Sequence, residues 1–187
     1  MGLSHAEQRR RGVALSLDAA GIGRAYHTTS LAEVPGGVEI ADWIKSRKAR
    51  ADVSAGRGLT FVGAGAPAYD LATLTARGLH LTGVASFVVP LRRLVKWLDV
   101  RGGTEALDAA SQAEALFVLD FYQWYDKGEC PLLGSQLQDV EVFLGDRLAG
   151  GRSVFLHSMK PLSQATWWSG SFLQRVARQN TVVEVKS

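Results

Sequence analysis

The sequence predicts an α/β protein built on one five-stranded, mostly parallel sheet with helices on both faces. Three observations carry that prediction. Five short apolar runs, at residues 59–62, 84–89, 115–120, 153–157 and 181–185, alternate with segments of helical character, and parallel strands need such crossovers and lie buried on both faces. The first run enters a turn of Gly63, Ala64 and Gly65 ahead of a helix-like segment, the strand–loop–helix setting of a phosphate-binding loop. The third, Leu116, Phe117, Val118 and Leu119, closes on Asp120, at the strand end where α/β sheets bind ligands.

Taken in order, Ser4 with Glu7 three residues on is a capping-box pattern. It starts a short basic helix over residues 5–17, which residues 20–23 break with two glycines. Residues 40–50 read as a second helix. Ile40, Trp43 and Ile44 share one face, and Lys45, Arg47, Lys48 and Arg50 make the other basic. After the first strand a helix is expected over 70–78, then a strand over 84–89. A helix over 90–98 follows, with Pro90 in its first turn. Further helices are expected over 104–113, 135–149 and 167–178, separated by the remaining strands.

Composition excludes several classes. At 187 residues, 47% hydrophobic and 21% charged, the chain can bury one real core. A single cysteine, Cys130, rules out an internal disulfide. His5, His27, His80 and His157 have no metal-ligand spacing with one another or with it. No apolar run approaches the roughly 18–20 residues of a membrane span. Glu7 and Arg9 to Arg11 stand where a signal peptide needs an apolar centre, so a cytoplasmic protein is expected. The net charge of +3 is compatible with nucleic acid, although a solvated surface with slight arginine excess explains it as simply.

The phosphate loop lacks its chemistry. A working loop uses glycine N–H groups to cradle phosphates, then a lysine and a serine or threonine for phosphate and magnesium. Here those two slots hold Ala68 and Tyr69, the loop is one residue short, and Pro67 has no N–H to give. A magnesium-holding aspartate is commonly followed by a second acid, but Asp120 is followed by Phe121.

Together these residues resemble the bacterial and phage replicative-helicase loaders and related transposition helpers, the DnaC/IstB-like AAA+ ATPases. The resemblance runs from about residue 20 to the C-terminus, so residues 1–19 form a short basic helix ahead of an ATPase-like domain at 20–187. Ala20 to Tyr26, with Thr29, Ser30 and Leu31, resemble the lead-in to the ATPase core. Residues 58–72 and 116–120 resemble the Walker A and B regions. Asp146, Arg147 and Gly150 to Ser153 resemble the turn before the sensor strand. Residues 154–158 with Pro161, Leu162 and Ser163 resemble that strand and its exit. Phe172, Leu173, Gln174, Arg175 and Val176 resemble the segment carrying the arginine finger. No single motif is specific; their order and spacing carry the likeness.

By this resemblance Arg175 is the finger, the Walker lysine is gone, Phe121 replaces the second acid, and Met159 stands at the sensor asparagine. The helicase-binding N-terminal domain is reduced to roughly 20 residues. The resemblance therefore implies a pseudo-ATPase with no cofactor, of phage origin. It would pair with a replicative helicase or a competent loader ATPase, to assist or to block it. Two other readings stand beside it. One is a replication accessory factor that binds single-stranded DNA weakly. It would use Lys45, Arg47 and Lys48, and whichever of Trp124, Trp167 and Trp168 are not filling the core. The other is an ATPase in which Lys96 or Arg57 reaches the phosphates. For Arg175 itself, an exposed base near a helix C-terminus is the plain alternative. His157 and Ser158, adjacent in a strand, face opposite sides and cannot form a nucleophile–base pair.

Overall fold

The computed structural model of the chain describes residues 4–100, 104–121, 132 and 134–186. Its centre is a five-stranded sheet in the order β2-β3-β4-β1-β5, every pair parallel. The strands are β1 (Gly58–Val62), β2 (Ser86–Pro90), β3 (Ala115–Leu119), β4 (Ser153–Ser158) and β5 (Asn180–Glu184). Strands β1 to β4 are buried almost throughout, as their continuous apolar runs require.

Side chains alternate between two helical layers. Phe61, Val88, Phe117 and Phe155 point to one face, under α1 (His5–Ala19), α2 (Gly37–Lys45), α3 (Arg47–Ser54) and α4 (Ala66–Leu81). Val89, Leu116, Val118, Val154 and Leu156 point to the other, under α5 (Leu91–Asp99), α6 (Glu105–Gln112), α7 (Gly134–Ala149) and α8 (Gly170–Gln179). The rings of Phe117 and Phe155 stack 4.3 Å apart on the first face.

Local sequence explains most element ends. The capping box at α1 forms as expected, with Glu7 accepting from the Ser4 N–H at 2.7 Å. The tail of α1 then covers the edge of β2, where the Val88 N–H donates to the Ala20 carbonyl at 2.8 Å. Gly21, at φ +75°, makes that approach feasible, because a Cβ there would lie 2.3 Å from the Val88 carbonyl oxygen.

Several predicted boundaries are corrected. The helix expected over 40–50 is two helices, α2 and α3. Ser46 between them is extended, with ψ 148°, and its hydroxyl donates to the Trp43 carbonyl at 2.6 Å. The helix expected over 70–78 runs from Ala66 to Leu81. Gly78 is no stop: it sits under Ile44, whose Cδ1 would be 2.6 Å from a Cβ. Pro90 ends β2 rather than entering the first turn of α5. Helix α8 starts at Gly170, not 167, because Ser169 caps it by accepting from the Phe172 N–H.

A buried arginine fastens the far edge of the second layer. Arg147, 4% exposed, donates to the carbonyls of Ala110, Ser111, Ala113 and Ser153 at 2.7–3.3 Å. It thereby joins α6, the entry to β3, α7 and the start of β4. No carboxylate pairs with it among the described residues. Burial, and then the charge of Arg152, pull its pKa down to about 10.

Candidate functional site: a carboxylate-lined cavity at the strand ends

All five strands point their C-terminal ends the same way. The chain leaves β1 toward β2 and leaves neighbouring β4 toward β5. That reversal opens a crevice, the usual ligand position in parallel α/β sheets.

The turn after β1 is three residues, Gly63, Ala64 and Gly65, before α4 begins. Gly63 is closely confined: its N–H donates to the Ser158 carbonyl at 3.0 Å, and a Cβ would lie 2.6 Å from the Val185 carbonyl oxygen. Gly65, at φ +81°, turns the chain into α4. Pro67 falls in the first helical turn, where its missing N–H breaks no helical bond. Ala68 is fully buried, and Tyr69 is half-buried with its ring edge-to-face on His157, centroids 5.5 Å apart.

Asp120 follows β3 with φ 57°, the only non-glycine among the described residues at positive φ. Aspartate tolerates that region better than most residues. His157 holds it there. The Asp120 N–H donates to His157 Nδ1 at 3.2 Å, and the next N–H, of Phe121, donates to the His157 carbonyl at 2.9 Å. The Asp120 carboxylate lies 3.5 Å from the same Nδ1, with His157 2% and Asp120 26% exposed. A neutral ring that accepts at Nδ1 carries its proton on Nε2, and Nε2 is buried without a hydrogen-bond partner.

On the opposite wall the Tyr26 hydroxyl donates to Asp70 at 2.7 Å. Burial, then Asp70, push the Tyr26 phenol well above its usual pKa. Burial, then Asp120 and Asp70, raise that of Tyr69, with Arg93 opposing. Gly65, Ala66 and Met159 complete a cavity of about 360 Å³ around these side chains. A cavity of about 410 Å³ opens at the other end of the sheet beside Arg50, Glu114 and Arg152. There Glu114 accepts from the Ala85 N–H and Arg152 donates to the Ser111 carbonyl.

The site residues expected from sequence scatter. Gly65, Tyr69, Asp120 and Met159 do meet in the cavity. Phe121 and Trp168 do not; both are buried, their rings stacked 4.4 Å apart. Trp168, 3% exposed, therefore has no face left for a base or partner, whereas Trp167 is 40% exposed. Trp124 lies outside the described residues. Lys45 and Lys48 are exposed on α2 and α3, and Arg47 opens α3. Arg175 is exposed on α8 and donates to the Gly145 carbonyl at 3.1 Å, folded back on α7. Arg57 cannot reach the loop: it precedes β1, a strand's length away, and pairs with Asp52 at 3.4 Å. His157 and Ser158 do face opposite ways, His157 toward α4 and Ser158 to the Lys160 carbonyl.

Sequence reasoning missed the Tyr26–Asp70 pair and the grip of His157 on Asp120. Nothing in their spacing, 44 and 37 residues, announces either. Among the described residues, no group of three or more histidine, cysteine, aspartate or glutamate side chains is placed to hold a metal, and no helix is long and apolar enough to cross a membrane.

No family model and no curated protein matches the chain. Solved structures do. The DnaC helicase loader superposes with TM-score 0.70 at 16% identity, over 88% of this chain and 100% of that one. DnaI gives 0.66 at 18% identity, over 88% and 94%. AMPPCP-bound DnaA from Aquifex aeolicus gives 0.59 at 11%, over 81% of this chain and 45% of that one. The five-stranded parallel sheet flanked by helices is the AAA+ fold seen in the helicase loaders.

Proposed function

We propose that this chain, with the AAA+ fold of the helicase loaders as premise, does not turn over ATP and acts in DNA replication by binding a replicative helicase or a competent loader ATPase. The observation that carries the reading is the donor set at the strand ends. A triphosphate needs N–H groups and a cation. The loop here offers three residues, a proline in the first helical turn and a buried alanine in the lysine slot. These residues do not fit magnesium–ATP. Loss of the lysine alone removes a charge-assisted contact worth about 1.5–3 kcal/mol.

Calorimetric titration tests this. No heat of magnesium-dependent ATP binding is expected at micromolar concentration, and micromolar or tighter binding refutes the proposal. Affinity capture from the native host, read by mass spectrometry, should then recover a replication ATPase. The exposed Lys45 and Lys48 favour a second reading, an accessory factor on single-stranded DNA.

A further inference from the structure

The two edges of the sheet are finished differently. At one, the tail of α1 lies against β2, and the Val88 N–H donates to the Ala20 carbonyl. At the other, β5 pairs only with β1. In a parallel ladder the N–H and C=O of one residue point to the same side, and successive residues alternate. The Val185 N–H donates to the Val62 carbonyl at 2.8 Å, so Thr181, Val183 and Val185 face β1. Val182 and Glu184 turn their backbone groups outward, as does the Asn180 carbonyl. The Asn180 N–H is bonded to the Val176 carbonyl. Among the described residues nothing meets the outward groups.

This edge lacks the devices that blunt one. Its register with β1 is unbroken by a bulge, it holds no proline, and Glu184 is its one charged residue. Residues 181–183 are all β-branched, which suits an extended partner. Val182 is 58% exposed, with Thr181 and Glu184 exposed beside it. Because α1 covers the β2 edge, head-to-tail addition of β5 onto β2 is blocked. Pairing of β5 with itself about a two-fold axis is not. With that axis through Val182, Val182 exchanges both backbone bonds with its own copy, and the Glu184 N–H meets the carbonyl of the partner's Asn180. Each free N–H then has an acceptor. The same axis sets the exposed Val182 side chain against its copy, Thr181 against the partner's Val183, and Glu184 against a neutral amide, so no like charges meet.

We infer that β5 is a self-pairing edge: two copies of this chain join antiparallel about Val182 and make one sheet continuous across both. The strand is five residues long, so the contact is small and belongs with transient interfaces. Association is reversible and falls in the micromolar-to-millimolar range.

Sedimentation equilibrium of the full chain over that range should show a monomer–dimer equilibrium. Amide exchange at Val182 and Glu184 should slow as concentration rises, whereas Val183 and Val185, bonded to β1, should be protected throughout. Val182→Lys and Val182→Glu each set like charges across the axis and should each lose the dimer. Mixed in equal amounts, the two variants should pair with one another, a rescue that only contact between the two Val182 positions gives. Val182 is exposed, so both variants keep the fold; melting curves check this. A chain that stays monomeric, a dimer that survives both variants, or a mixture that does not pair overturns the inference. Slowed exchange at Val182 only in extract of the native host would assign the edge to another protein's strand and refute self-pairing.

Discussion

Trp168 stacks on Phe121, ring centroids 4.4 Å apart and planes 13° from parallel, and Phe172 tilts against both. The residue after Asp120 is thus a core anchor for α8. Trp168→Ala should destabilise the fold by about 3–5 kcal/mol through the cavity it leaves. Trp167→Ala should change stability by less than about 1 kcal/mol. Trp168→Phe should fall near the smaller figure, because it keeps a ring and removes the buried, unpartnered Nε1–H. Urea melts of the three variants decide the order.

Replacing Arg147 exposes how much four carbonyls depend on one side chain. Arg147→Met should cost about 3 kcal/mol or more, since buried acceptors lose their donor. Arg147→Lys should recover only part of it, because an ammonium cannot reproduce the planar fork. Full recovery by lysine in chemical denaturation would count against the fork.

Alkaline titration reads the cavity. The phenols of Tyr26 and Tyr69 have folded pKa values above the unfolded value of about 10. The folded chain therefore holds these protons more tightly. Their contribution is complete below about pH 10 and is lost as pH rises toward the folded values. Phenolate absorbance should show two late-titrating tyrosines, and Tyr26→Phe should abolish the latest step.

Arg175 is exposed on α8 and donates to the Gly145 carbonyl. Arg175→Ala should leave stability within about 1 kcal/mol. If the arginine acts in trans, the variant should still bind its partner ATPase but alter that partner's ATP turnover. Unchanged turnover with intact binding assigns it to the surface.

Single-stranded DNA should bind weakly and be lost near physiological salt, because released counterions drive such contacts. Fluorescence anisotropy across a salt series measures this. Tight binding at that salt, abolished by charge reversal at Lys45 and Lys48, would promote the accessory-factor reading.

Strands β1 to β4 were legible because a strand buried on both faces is mostly apolar, and residues 116–119 or 154–156 admit little else; β5, largely exposed, is marked instead by its β-branched residues. Helix ends were less so. Gly78 carries the composition of a stop but serves a close approach to Ile44, and Ser46 breaks a charged pattern that continues on both sides. At the site, the loop and Asp120 announce themselves by position after a strand. The Tyr26–Asp70 and His157–Asp120 contacts do not, because they join elements that only the sheet order brings together.

The joint made by Arg147 also has a place in time. Its acceptors lie 34–37 residues back and 6 residues ahead in the chain. Until α6, α7 and β4 have assembled, a guanidinium gains more from water than from scattered carbonyls. Closure of the joint after the folding barrier is therefore the expectation, and the folding and unfolding rates of Arg147→Met test it. Substitutions there should speed unfolding and leave the folding rate nearly unchanged, so the kinetic lifetime of the native state is guarded from the end of the sheet farthest from the cavity.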